Sequence, residues 1–385
     1  MQQRIEVLDI IRGFSLLGIL VVNMTYFKYG FESYPEYELP SLDFLIEEYI
    51  NFFAVGNFIT LFSFLFGISI VMLQKRAHTH QESFFPIYFR RISLLILFGL
   101  IHTIFIWDGD ILLAYGMIGI ILTMFLNRKP KTIFIWASFI FLLYTAFSYP
   151  IDDESFEYDD ISEYEITEAE VHIEGSYTEH IKFRVFDEHY EEKPTQEWIE
   201  LFTDALGWGF TLLPNLLFGM YVGKKEWLYN LSNYTQSIWK VWIWSATLSF
   251  SIKIIGLFLE HPIVTMLHDG ITPLSMAIFY TTSIILFVQH GQMVVVSRYF
   301  ANVGKMCITN YVMQSLITTT LFYSYGFSLA GKLGAFYGLL LTIIIYTAQA
   351  FFSTYWLTKF YIGPIEYIWR FGTYWKRPTF IRKKQ

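Results

Sequence analysis

Charged side chains are scarce in this chain, 16% of 385 residues, and cysteine is limited to Cys307. A soluble domain carries roughly a quarter charged residues, so this share, beside 54% apolar and 20% aromatic residues, excludes an ordinary soluble fold. A single cysteine excludes an intrachain disulfide. The sequence also lacks a Gly-rich phosphate loop, the Cys/His spacing of a zinc site and any nucleic-acid pattern, so neither a metal nor a nucleic-acid partner is expected. What is abundant is apolar length, with a mean hydropathy of +0.40. The expectation is an all-α integral membrane protein among membrane lipids.

The formal charge of −7 is unevenly spread. Residues 150–200 hold eighteen Asp and Glu against three Lys and Arg, which leaves the remainder of the chain basic. Runs of about 18 or more apolar residues cross a hydrocarbon core roughly 30 Å thick. Ten are read, at 7–27, 49–74, 88–107, 110–126, 132–149, 206–222, 238–259, 272–290, 305–325 and 334–357. The first carries Asp9 and Arg12 and has no small-residue cleavage site, so it is expected to be a retained helix. Connections alternate in sign: Lys75-Arg76, Arg90-Arg91, Arg128-Lys129, Lys224-Lys225 and the tail from Lys376 are basic, and those between are acidic. Excess Lys and Arg marks the cytoplasmic side, which places both termini inside and the acidic loop outside a bacterial cell membrane.

The expected organisation is a five-helix segment 1–149, an acidic extracellular loop 150–205, a second five-helix segment 206–362 and a basic, aromatic cytoplasmic tail 363–385, all in one membrane domain. Within the loop, Ser176-x-x-Glu179 reads as a capping box opening a short helix through about Tyr190, stopped by Pro194. The tail mixes Trp369 and Trp375 with Arg370 and Arg377, a composition suited to an anionic interface.

Two spans carry an ionisable line. Arg91 and His102 are eleven residues apart, within roughly 20° of one helical face and about 16 Å apart in depth. Arg12 and Asn23 repeat that spacing in the first span, where Asp9, three residues before Arg12, is placed to pair with it. Polar lines through hydrocarbon are costly and point to function. Guanidinium groups at a cytoplasmic mouth suit phosphates, and an imidazole near a carboxylate suits a general base. Direct contact of His102 with Asp110 requires the Asp108-Gly109-Asp110 turn to fold inward. Asn57, Asn215, Asn310, Gln314 and Gln349 also lie in otherwise apolar spans and are less telling, while Asn23 also reads as an interhelical hydrogen bond. Lys253 is expected to find a carboxylate or carbonyl, or to snorkel outward. Gly13, Gly18, Gly67 and Gly99 are read as close-approach positions.

These residues sit in motifs. Leu8-Asp9-x-x-Arg12-Gly13-Phe14 through Asn23, Gly56-x-Phe58 through Gly67, and Arg90-Arg91 through His102 to Trp107-x-Gly109-Asp110-Ile111-Leu112-x-x-Tyr115 resemble the YeiB-like bacterial membrane proteins, a family of unknown function. So do Gly304-Lys305-Met306-x-x-Thr309-Asn310-Tyr311-x-x-Gln314-Ser315 and Gly363-Pro364-Ile365-Glu366-Tyr367-Ile368-Trp369-Arg370. The resemblance covers nearly the whole chain outside the acidic loop. That family is in turn distantly similar to multi-span acyltransferases that draw on cytoplasmic acyl-CoA. One branch of those enzymes has His where Asn23 stands, and the family usually has Lys at the position of Asn57.

The resemblance implies acyl transfer from acyl-CoA as co-substrate to a small-molecule or cell-surface acceptor reached from outside, and it allows an oligomer. His102 is the expected base and Asp110 its partner, while Arg12, Arg91, Asn23 and Asn310 are the expected binding residues. The alternative is a transporter of a small metabolite or peptide, using the same polar line as a permeation path.

Overall fold

A computed structural model describes residues 6–30, 41–150, 170–185, 194–229, 231–291 and 294–382. The acidic stretch 151–169, and the end of the expected loop helix, lie outside the described residues. Helices account for the described chain, apart from turns and one bridge between Phe360 and Ile381. In order they are α1 Glu6–Tyr29, α2 Ser41–Phe53, α3 Asn57–Thr79, α4 Phe84–Phe105, α5 Leu112–Leu122 and α6 Pro130–Phe147. After a short helical segment at 170–174 come α7 Tyr177–Val185, α8 Pro194–Lys225, α9 Thr235–Gly256, α10 Pro262–Gln289, α11 Val294–Lys305, α12 Cys307–Phe322, α13 Ala335–Lys359 and α14 Pro364–Tyr374.

Local chemistry sets several boundaries. Proline opens α6, α8, α10 and α14, where its missing N–H costs nothing. Pro194 therefore starts a 32-residue helix, whereas the sequence reading gave it only the role of a stop. Gly56, at φ 72°, separates α2 from α3 in a left-handed conformation. The capping box forms as expected: the Ser176 N–H donates to Glu179 Oε2 at 2.6 Å, and the Glu179 N–H donates to Ser176 Oγ at 3.4 Å.

Seven helical segments among the described residues are long and apolar enough to cross a membrane. Three of the ten expected runs do not meet that standard. Leu112–Leu122 has eleven residues, Cys307–Phe322 has sixteen, and Thr235–Gly256 is long enough but less apolar. The sequence merged the first two with flanking apolar turns, which periodicity does not separate from helix.

The centre of the bundle is α1, whose Ile11, Leu16 and Leu20 are fully buried. It packs on α11, α12, α13 and α3, while α3 packs on α8. Small residues set these distances. A Cβ on Gly13 would lie 2.0 Å from the Phe300 carbonyl oxygen, and one on Gly67 equally close to that of Leu216. Contacts sort the helix ends into two poles. Lys75 pairs with Glu226 and Lys376 with Glu82 at a basic pole; Lys28 pairs with Glu47 and the Phe336 N–H donates to Asp43 at an acidic one.

Candidate functional site: a cationic vestibule and a buried histidine–aspartate pair

A cavity of about 830 Å³ opens at the basic pole between α1, α3, α4 and α14. Seven Lys and Arg line it against three acids, so its field is positive. Two of the acids are engaged locally. Asp9 pairs with Arg12 at 2.9 Å, and Glu82 with Lys376 at 3.3 Å.

The third acid, Glu366, is buried and caps α12. Its Oε1 accepts from the N–H groups of Ile308 and Thr309 at 2.8 and 3.1 Å, and its Oε2 accepts from Thr309 Oγ1 at 2.6 Å. A carboxylate at a helix N-terminus satisfies orphan donors and meets the positive end of the dipole. This role joins residues 57 apart and has no local signature in the sequence.

Arg12 is anchored on both nitrogens, by Asp9 and by Ser69 Oγ at 2.7 Å, and is 23% exposed to the cavity. Arg91 rests on the Trp369 ring, 5.1 Å from its centre, and among the described residues makes no ion pair. A stacked guanidinium keeps its planar fork free for a ligand. The expected meeting of Arg12 and Arg91 at one mouth is realised, and the basic tail supplies Arg370, Lys376 and Arg377 to the same cavity. Thus α14 packs on α4 as a wall of the vestibule.

Deeper in α4, His102 is 1% exposed. The turn after α4 folds inward, and His102 Nδ1 lies 3.2 Å from Asp110 Oδ1, off the line of an aligned hydrogen bond. Asp110 is held by its other oxygen, which accepts from the Leu113 N–H at 2.8 Å, so it also begins α5 as a cap. Tyr311 stacks on the imidazole with ring centres 5.2 Å apart, and the Ile111 N–H points at the Tyr311 hydroxyl. Gly99 permits this arrangement, since a Cβ there would lie 2.4 Å from the Leu113 nitrogen. His102 Nε2 is buried and has no hydrogen-bond partner among the described residues. Tyr311 was visible only as a motif residue next to Asn310.

The vestibule and the pair are neighbours without being one cavity. Leu95 on α4 and Leu112 and Tyr115 on α5, the helices that His102 belongs to and Asp110 caps, line the vestibule, and Tyr115 is fixed by a 2.8 Å hydrogen bond with Ser63. Asn23 is half-buried and does not line the vestibule. Asn310 is fully buried and committed elsewhere. Its Nδ2 donates to the Val303 carbonyl and to Ser353 Oγ, and its own carbonyl accepts from Gln349, which also accepts from Gln314. These amides lock α12 to α13, and Asn310, expected among the binding residues, is bonded within that lock. The amide of Asn57 is buried with neither atom paired among the described residues.

Over the far end of α4 sits α7. The Tyr177 hydroxyl donates to the Phe105 carbonyl at 2.8 Å, and His180 stacks on Tyr323 at 4.7 Å. Burial, His172 and Arg184 push the His180 imidazole down to about 3, so it sits neutral in its slot. No group of three or more His, Cys, Asp or Glu placed to hold a metal occurs among the described residues.

Residues 222–376 match a family model described as a protein of unknown function, DUF418. Across 390 residues the chain is 32% identical to the uncharacterized protein YxaH of Bacillus subtilis (strain 168), covering 97% of this chain and 94% of that one. It is 25% identical over 391 residues to an uncharacterized 39.9 kDa protein in the amylase 3'region of Bacillus acidopullulyticus, covering 100% and 98% of the two. It is 26% identical over 408 residues to the uncharacterized protein YeiB of Escherichia coli (strain K12), covering 96% of each. No solved structure matches the chain.

Proposed function

We propose, for a chain that belongs to the YeiB-like family of bacterial membrane proteins, the function its geometry supports best: a membrane-bound acyltransferase using acyl-CoA. The carrying observation is a cationic vestibule at one pole whose inner wall adjoins a buried His102–Asp110 pair. In this reading the basic pole is cytoplasmic and the membrane is the cell membrane. The CoA phosphates sit on Arg12 and Arg91. Arg91 and His102 are separated by about 16 Å of helix, of the order of the arm joining those phosphates to the sulfur. Phe62, Leu65 and Leu95 offer that arm apolar walls.

The acceptor comes from the acidic pole. His102 Nε2 takes the proton from its hydroxyl or amine as the oxygen or nitrogen bonds to the thioester carbonyl. Asp110 stabilises the imidazolium that forms. Collapse of the tetrahedral intermediate breaks the carbon–sulfur bond, and the CoA thiolate recovers the proton from His102. Asn23 and Asn310 are left out of this reading, because neither lines the vestibule.

Binding tests the first half of the proposal. CoA added to protein in nanodiscs raises the melting temperature of the parent, and the gain falls with salt because it rests on phosphate contacts. Arg91→Gln removes most of that gain. An equal gain in Arg91→Gln removes the vestibule from CoA binding.

A transporter reading has one observation in its favour. The break at Gly56 packs on Pro273 within α10, placing two irregular helices in contact. Solute uptake into vesicles without CoA release supports that reading.

A further inference from the structure

A second cavity, of about 500 Å³, opens at the acidic pole between α9, α10 and the end of α2. It shares no residue with the vestibule. Lys253 lines it at 2% exposure, its ammonium 5.4 Å from the centre of the Phe52 ring. Among the described residues this ammonium makes no hydrogen bond or ion pair. The sequence gave Lys253 a carboxylate or carbonyl partner or an outward path; in the structure the charge of Asp269 acts on it without forming an ion pair, and Asp269 is itself held by His268. A buried ammonium with no ion pair is costly, and one aromatic ring offsets only a part of that cost.

Two carboxylates, Glu48 and Glu260, stand exposed at the rim, beyond ion-pair distance of Lys253. The two imidazoles beside them are engaged. His261 Nδ1 accepts from the Ile263 N–H at 3.2 Å, and His268 pairs with Asp269 at 2.8 Å. The pocket therefore presents one cation at its floor and two anions at its rim. A simple anion reaching Lys253 passes both carboxylates and leaves them unpaired, whereas a simple cation leaves Lys253 as it was.

We propose that this pocket binds a small zwitterion from the acidic pole, its carboxylate or phosphate on Lys253 and its ammonium at Glu48 and Glu260. Phe52, Leu257 and Val264 provide an apolar wall for a short hydrocarbon portion. The volume is that of a small-molecule site. Two sources share the chemistry: a free amino acid or phosphoethanolamine, and the headgroup of phosphatidylethanolamine. The inference stands apart from acyl transfer.

The test uses the full chain in phosphatidylglycerol nanodiscs. It is titrated with alanine, phosphoethanolamine, acetate and ethanolamine, and a parallel sample contains phosphatidylethanolamine. A saturable rise in melting temperature with a zwitterion, exceeding that with acetate or ethanolamine, is expected. A response to the free compounds identifies a soluble ligand, and a response confined to the lipid identifies a headgroup. Lys253→Met weakens the response about tenfold or more, as expected for loss of a charge-assisted contact. Lys253→Arg retains it. Unliganded Lys253→Met melts no lower than the parent, since the change removes an unpaired buried charge. Glu48→Gln with Glu260→Gln, both at exposed positions, abolishes the preference for zwitterions over acetate. Absence of response to every probe, equal response to acetate and zwitterions, or an unchanged response in Lys253→Met overturns the proposal.

Discussion

His102 Nδ1 and Asp110 Oδ1 lie 3.2 Å apart although eight residues and a chain reversal separate them. The contact is produced by the turn, because Asp110 is pulled inward to cap α5 through the Leu113 N–H. Replacing Asp110 with Asn keeps an acceptor for that N–H and removes the charge beside the imidazole. The expected result is a fall of about 10²-fold or more in CoA release, with little change in melting temperature. Steady-state release of free thiol, measured beside a thermal melt, checks both halves.

Gly99 holds α4 against α5. An alanine there places its Cβ 2.4 Å from the Leu113 nitrogen, so the helices must part or the substitution must strain the backbone. Gly99→Ala is expected to destabilise the protein by about 1–3 kcal/mol and to lower activity through the widened His102–Asp110 gap. Thermal unfolding in a mild detergent reads the first effect, and CoA release the second.

Loss of the Glu366 carboxylate leaves the Ile308 and Thr309 N–H groups and the Thr309 hydroxyl without their acceptor. Glu366→Ala is expected to cost about 2 kcal/mol or more, and Glu366→Gln less, since an amide oxygen still accepts. The order of the melting temperatures, parent above Gln above Ala, is the observable.

Acid loosens the α7 cap. The docked His180 stays neutral down to about pH 3, whereas an undocked histidine takes a proton near 6.5. Docking is therefore intact above pH 6.5 and weakens as pH falls from there toward 3, on the order of 1.4 kcal/mol per pH unit. Hydrogen exchange across residues 171–185 at pH 7.5 and pH 5 is expected to show loss of protection at the lower pH. His180→Phe, which keeps the stack on Tyr323 and cannot titrate, flattens that dependence.

What was legible in the sequence was whatever short-range spacing or side-chain type encodes. The eleven-residue interval placed Arg91 and His102 on one face, the capping box placed Ser176, and the glycines chosen for close approach do meet backbone or ring atoms, Gly18 lying against Phe58. Contacts made across the fold were not legible. Tyr311 reaches His102 from about two hundred residues away, Trp369 lies beneath Arg91, and Glu366 caps a helix that precedes it in the chain. The same limit misplaced Asn310. Its polarity marked it as noteworthy, but only packing shows that its side-chain amide is consumed by Ser353 and Val303 while its backbone carbonyl accepts from Gln349. Short helices escaped as well, since an eleven-residue α5 flanked by apolar turns has the composition of a full span.

The central claim is that Arg91 holds a CoA thioester while His102 takes a proton from the acceptor. It is tested most directly by a single turnover in proteoliposomes, with labelled acetyl-CoA supplied on the basic-pole side and membrane-derived hydroxyl and amine acceptors on the other. Loss of label from CoA is predicted for the parent, with CoA binding and label transfer both strongly reduced in Arg91→Gln, and binding without transfer in His102→Ala. Parental transfer in His102→Ala contradicts the account.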